Sequence, residues 1–255
     1  MHHRKDITFT KPSIYRPGIE EYCDANSAPQ NAQLSAITTL TYERCPEWAN
    51  IISSHLQGNL LTALVRSMRA RHCLEVGAFT GHGAVALAAG LEPDGTVTTI
   101  DDFSADERAR EVFLEAALTS GPGPMITLVE QQALTALREI EMPDGGFDLI
   151  FVDADKPNYF AYYETIMERD LLSPHGLLIF DNTLWGGAAA ADGASAEPDV
   201  GETDEARRWL HEMWTDWADA VRVFNQKVCQ DPRTVTTLLP LRDGMTLVQR
   251  VRGGV

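Results

Sequence analysis

From Arg71 onward the sequence alternates short, almost purely apolar runs with segments of helical length, and this alternation restricts the fold more than any other feature. The runs are His72–Val76, Thr96–Ile100, Ile126–Val129, Phe147–Val152 and Leu177–Phe180. Continuous apolarity is what a strand buried on both faces needs, and helix-length spacers supply crossover connections, so the pattern is that of βαβ units in a parallel sheet. Two further runs, Thr234–Pro240 and Met245–Val251, are joined through Leu241-Arg242-Asp243-Gly244. Asp-Gly between such runs is a hairpin signal. The expected fold is α/β: a doubly wound, mostly parallel seven-stranded sheet with a C-terminal antiparallel hairpin. That hairpin separates the chain from an ordinary dinucleotide-binding fold.

The segment before Arg71 reads as helical. Tyr42–Asn50 and Gln57–Met68 carry apolar residues at three and four spacings, punctuated by Pro17, Pro29 and Pro46. It resembles a helical lid or a dimerising surface. Near the other end, Glu205–Cys229 predicts a long helix with Leu210, Met213, Trp214, Trp217 and Val221 along one face, a stripe expected to face the core. Gly186 to Gly201 reads as an irregular loop.

Composition narrows the function. With 255 residues, 44% of them hydrophobic, the chain can bury one sizeable core and is expected to form a single domain. A formal charge of −16 opposes nucleic-acid binding, which draws affinity from Lys and Arg, and favours a small-molecule partner. Arg4, Lys5, Lys11 and Arg16 make the N-terminus mildly basic; they suit an anionic substrate or simply a solvated arm. No apolar run reaches the roughly 18 residues of a membrane span, and the first residues lack a signal-peptide core, so no membrane partner and a cytoplasmic location are expected. Cys23, Cys45, Cys73 and Cys229 show no CxxC spacing and read as free, mostly buried thiols.

The first strand runs through Glu75-Val76-Gly77-Ala78-Phe79-Thr80-Gly81-His82-Gly83 into a helix at Ala84–Ala89. Glycines in such a turn let the backbone approach a ligand and bring amide donors near it. The spacing of Gly77, Gly81 and Gly83 is not G-x-G-x-x-G, and Glu75 would crowd a pyrophosphate. An S-adenosylmethionine cofactor, with its sulfonium and ammonium, suits an acidic turn better. Asp101 at the carboxyl end of the second run can accept both ribose hydroxyls, a role nicotinamide enzymes share. Alternatively, Glu75 is a surface acid and Asp101 a helix cap.

Phe147-Asp148-Leu149-Ile150-Phe151-Val152-Asp153-Ala154-Asp155-Lys156 is an apolar strand that ends abruptly in charge, and Leu177-Leu178-Ile179-Phe180-Asp181-Asn182 repeats the design. Ligands of open parallel sheets bind outside the carboxyl ends of the strands, so both clusters should reach one crevice. Asp153, Asp181 and Asn182 then offer three hard oxygen ligands, suited to an open Mg²⁺ site, with Ca²⁺ or Mn²⁺ as alternatives, and unsuited to zinc. Helix capping is the other reading of the two acids. Lys156 is within reach as a proton acceptor unless it is a surface lysine, and Asp155 is better placed for the cofactor than for the metal.

These segments, with Asp181-Asn182-Thr183-Leu184-Trp185, resemble the caffeoyl-CoA/catechol O-methyltransferase family. Leu56–Leu61 and Asp231–Leu247 match more weakly, so the resemblance spans roughly Ser53 to Val251. It implies a Rossmann-like core over residues 71–255, with residues 1–70 as lid or dimerisation segment, and it favours a homodimer. It implies metal binding by Asp153, Asp181 and Asn182, and ribose binding by Asp101. It puts Asp155 at the cofactor's amino-acid end or nearby waters, sets Ser53, Glu75, Gly77, Ala78, Gly83 and Ala133 around the cofactor, and makes Lys156 the base. The implied acceptor is a vicinal aromatic diol. Methylation of nitrogen or of a tRNA base is the nearer alternative, and a nicotinamide-dependent oxidoreductase the remoter one. The chain departs from the family at His82-Gly83, where relatives carry Tyr-Ser or Tyr-Thr, and at Gly186, where plant members have Asn. His82 either touches substrate or caps a helix.

Overall fold

The computed structural model describes residues 18–104, 106–118, 123–190 and 204–251, without the side chains of Asn50 and of residues 204–213. Seven strands form one sheet: β1 His72–Val76, β2 Thr96–Asp101, β3 Met125–Glu130, β4 Phe147–Val152, β5 Leu172–Asp181, β6 Thr234–Leu239 and β7 Met245–Arg250. Their order is β3-β2-β1-β4-β5-β7-β6. The first five pair in parallel, while β7 runs antiparallel to both β5 and β6. All seven expected strands and the expected hairpin are present. Since β2 and β3 lie to one side of β1 and β4 to the other, the order reverses between β1 and β4, and a crevice opens at their carboxyl ends.

Both faces of the sheet are covered, which is why its strands are continuously apolar. On one face Cys73, Leu149, Phe151 and Ile179 pack against helices α2 (Ala32–Arg44), α3 (His55–Met68), α4 (His82–Ala88) and α5 (Glu107–Val112). On the other, Leu74, Val76, Ile150 and Phe180 meet α6 (Ala133–Glu139), α7 (Tyr159–Glu168) and α8 (Asp204–Cys229). A short helix, α1 (Ile19–Ala25), precedes these.

Several boundaries differ from those the sequence suggests, and three of these differences have an evident local cause. The helix expected over Tyr42–Asn50 lies earlier and ends at Arg44, because Pro46 bars Cys45 from helical geometry; only a short 3₁₀ turn, Ala49–Ile51, follows. The helix at Gln57 begins two residues sooner, since Ser54 and Gln57 form a capping box. Strand β5 starts at Leu172 rather than Leu177. Its first residue pairs with Phe147 before a register shift, and Pro174 sits in the exposed bulge where no ladder bond is needed. Of the loop expected at Gly186 to Gly201, residues 186–190 form turns and the rest lies outside the described residues. Cys45 and Cys73 are buried, whereas Cys23 and Cys229 are exposed. Among the described residues no helix is long and apolar enough to cross a membrane.

Helix α8 is held by an aromatic knot. Phe224 lies 4.5 Å from the Phe180 ring and 5.6 Å from Tyr159, and all three are fully buried. Phe224→Ala is expected to cost about 3–5 kcal/mol, the usual range for emptying an aromatic core site. Urea unfolding should show this as a lower midpoint at unchanged slope.

Candidate active site

A cavity of about 1000 Å³ occupies the crevice. Every residue assigned to the site from sequence lines it: Ser53, Glu75, Gly77, Ala78, Gly83, Asp101, Ala133, Asp153, Asp155, Lys156, Asp181 and Asn182.

The glycine turn is fixed to its neighbours by backbone geometry. Gly77 has φ 95°, and a Cβ there would run into the Asp153 carbonyl at the end of β4. The turn's next amides, Ala78 and Phe79, donate to Asp101 Oδ2 at 2.8 and 2.9 Å, and Phe103 N–H donates to Oδ1. Asp101 therefore ties the turn to the end of β2 and does not cap α5, whose cap is Asp106. Burial pushes its pKa above the ordinary carboxylate range, against the opposing pull of these three amides.

Glu75 is not a surface acid. It is 1% exposed, its Oε2 accepts the Thr99 hydroxyl at 2.5 Å, and burial drives its pKa well up. Its other oxygen lies where a Cβ on residue 83 would project, so Gly83 is what admits the carboxyl beneath the first turn of α4.

Of the two readings of His82, the helix cap is the one the structure overturns. It makes no cap hydrogen bond. The ring is buried at the cavity wall, Nε2 accepts an N–H of the Gln30 amide at 2.8 Å, and Nδ1 has no partner.

The acidic strand ends meet as expected. Lys156 is 4% exposed, so it is no surface lysine. Its three N–H bonds go to Asp153 Oδ1 (3.0 Å), the Ala154 carbonyl (3.0 Å) and the Tyr159 hydroxyl (2.7 Å). Tyr159 in turn donates to the Asp181 carbonyl at 2.9 Å, joining β4 to β5. Asp181 Oδ2 accepts Gln57 Nε2 at 2.5 Å and Oδ1 accepts the Asn182 amide at 2.8 Å. Burial, then repulsion from Asp153, pushes the Asp181 carboxyl up to about 8. Neither acid caps a helix. Asp155 spends its oxygens on Asn158 Nδ2 (2.6 Å) and the Tyr162 hydroxyl.

Sequence reasoning missed several wall residues. Gln57 was visible only as part of a helix. Asp243 was visible only as a hairpin turn, yet its carboxylate accepts the Gly186 amide and lines the cavity. Trp214 and Trp217 line it too, instead of serving only the core, because α8 passes over the crevice beside Trp185. Val221 of the same stripe is buried as expected, while the side chains of Leu210 and Met213 lie outside the described residues.

The profile of the O-methyltransferase family matches residues 24–251. The chain belongs to that family. A probable caffeoyl-CoA O-methyltransferase of Arabidopsis thaliana is 34% identical over 84% of this chain and 91% of its own length. The O-methyltransferase ankF of Aspergillus thermomutatus is also 34% identical, over 91% and 92%. Among solved structures, the Podospora anserina methyltransferase PaMTH1 bound to SAH superposes with a TM-score of 0.76 at 28% identity, covering 91% of this chain and 94% of that one. TomG from Streptomyces achromogenes, in complex with SAM, gives 0.66 at 25%, covering 91% and 96%. Membership displaces the nicotinamide-dependent alternative and makes the chain an S-adenosylmethionine-dependent O-methyltransferase of the caffeoyl-CoA type.

The buried His82 ring has its pKa pushed down to about 4 by desolvation, against 6.5 in the unfolded chain. Between those values the unfolded state binds the extra proton. Stability that is complete above pH 6.5 is therefore lost as pH falls toward 4, by on the order of 3 kcal/mol. His82→Gln should flatten that part of the stability–pH curve in urea titrations at pH 7 and 4.5. An unchanged slope would exclude His82 as its source.

Proposed function

We propose that this O-methyltransferase transfers the methyl of S-adenosylmethionine to one hydroxyl of a small vicinal aromatic diol, in a reaction that depends on a divalent cation. The observation that carries this reading is the convergence of Asp153, Asp181 and Asn182 on the same cavity as the glycine turn and Asp101.

The donor set fits a hard cation. It is all oxygen, and two carboxylates are held close enough for Asp153 to raise the pKa of Asp181, a repulsion that a cation would relieve. Asn182, an amide, would complete the set with substrate and water oxygens. Mg²⁺ is the proposed ion, with Ca²⁺ or Mn²⁺ as alternatives. When bound, it supplies Lewis acidity and a rigid chelate for the two acceptor oxygens.

The chain's own residues do the rest. Asp101 takes the ribose hydroxyls, and Glu75, Gly77, Ala78, Gly83 and Ser53 form the walls around the cofactor. Ala133 and Asp155 close that pocket from the α6 and α7 side. Lys156, held by Tyr159 and the Ala154 carbonyl, is the proposed acceptor of the hydroxyl proton in its neutral form, in which a lone pair on Nζ replaces the N–H directed at Asp153. The deprotonated oxygen then attacks the methyl carbon in line with the departing sulfur, so the C–O bond forms as C–S breaks and S-adenosylhomocysteine leaves.

Asp153→Ala and Asp181→Ala are each expected to lower turnover at least about 10²-fold, and EDTA should do the same to the wild type, reversibly by Mg²⁺. Calorimetry should still show S-adenosylhomocysteine binding to Asp181→Ala. Full activity in EDTA would remove the cation from the reading.

A further inference from the structure

The cavity walls carry nine acidic residues and only two basic ones, Lys156 and Arg242. Both bases are already engaged: Lys156 with Asp153 at 3.0 Å, and Arg242 with Glu20 at 2.9 Å. Among the described residues, then, no cation stands ready for a phosphate. An adjoining cavity of about 610 Å³ shares Ile52, Ser53 and Arg242 with the first, so an acceptor that extends beyond the first cavity can enter it. It adds His55 as a basic group and Asp24 to oppose it, 3.7 Å away.

The acceptor side offers aromatic surface instead. Trp185 lies 4.7 Å from Trp214 and 5.2 Å from Trp217, ring centre to ring centre. Gly186 permits this wall, since a Cβ on it would come within 2.6 Å of Trp214 Cζ2. Indole faces beside carboxylates attract flat rings and cations and gain nothing from polyanions.

Resting on the O-methylation reading, we propose that the acceptor is a neutral or amine-bearing aromatic diol, and that this chain discriminates against the phosphate-bearing acyl-CoA thioesters for which its plant relatives are named. A CoA thioester brings a diphosphate and a 3′-phosphate toward walls whose nine acids outnumber the positive charges of Lys156, Arg242, the divalent cation and the cofactor taken together. Both association and binding suffer from that repulsion, and salt weakens it.

Three acceptors sharing one catechol test this: caffeoyl-CoA, methyl caffeate and a caffeoyl amide ending in a primary amine, each assayed with S-adenosylmethionine and Mg²⁺. The full chain is used, so that Arg4, Lys5, Lys11 and Arg16 can contribute. The expected kcat/KM of the ester and of the amide exceeds that of the CoA thioester by about tenfold or more at low salt. The CoA value should rise as NaCl is raised from low to physiological strength, while that of the neutral ester stays level. Glu20→Gln, which releases Arg242, should narrow the ratio of ester to thioester. A CoA thioester that matches or exceeds the ester at low salt overturns the proposal while leaving O-methylation intact. Methylation of none of the three, with cofactor binding retained, overturns O-methylation of such diols and this inference with it.

Discussion

The site depends on one close approach, that of Gly77 to the end of β4. Parallel strands β1 and β4 part at the sheet's switch point, and there the turn after β1 crosses directly over the Asp153 carbonyl with no room for a side chain. The backbone closes the junction from both sides: Gly77 N–H donates to Ile100 of β2, and Asp153 N–H donates to Val76 of β1. Three functional elements are thereby set at fixed spacing with little recourse to side chains. The glycine turn, the acid at the end of β2 and the first candidate metal ligand belong to one rigid backbone assembly. Rigidity of this kind lets an in-line displacement depend on position instead of on motion.

Charge is distributed around that junction in a consistent way. The acids nearest the glycine turn and α7 accept from protein donors: Thr99 for Glu75, three amides for Asp101, Tyr162 and Asn158 for Asp155. Asp153 and Asp181 keep one donor side chain each, Lys156 and Gln57, and repel one another. What marks the second group is the mutual repulsion of its two carboxylates, which a cation would relieve. The two strands that carry the second group pair directly, and at their ends the buried Tyr159 phenol bridges Lys156 to the Asp181 carbonyl.

How far the sequence foretold this varies with the range of the interaction. The strands and the motif ends were legible because burial on both faces writes itself into consecutive residues, and because Asp153 and Asp181 each interrupt such a run. Gln57 was not, since its partner Asp181 lies 124 residues away and nothing local marks the pairing. Trp214 and Trp217 show why periodicity has a limit: a stripe at helical spacing says that a face is covered, and not whether sheet or ligand covers it. Asp243 sits in a hairpin whose turn chemistry fully accounts for an Asp-Gly pair, so its second role left no trace. His82 was ambiguous because its partner Gln30 lies 52 residues away, before the stretch that carries the motifs.

The ion pair between Glu20 and Arg242 joins residues 222 apart, the first described helix to the last hairpin. Its consequence lies in synthesis. A chain emerging from the ribosome can assemble the parallel strands and the glycine turn in order, yet the rim of the crevice cannot be fastened until the final hairpin is released. This contact across the crevice is therefore among the last that the molecule can make.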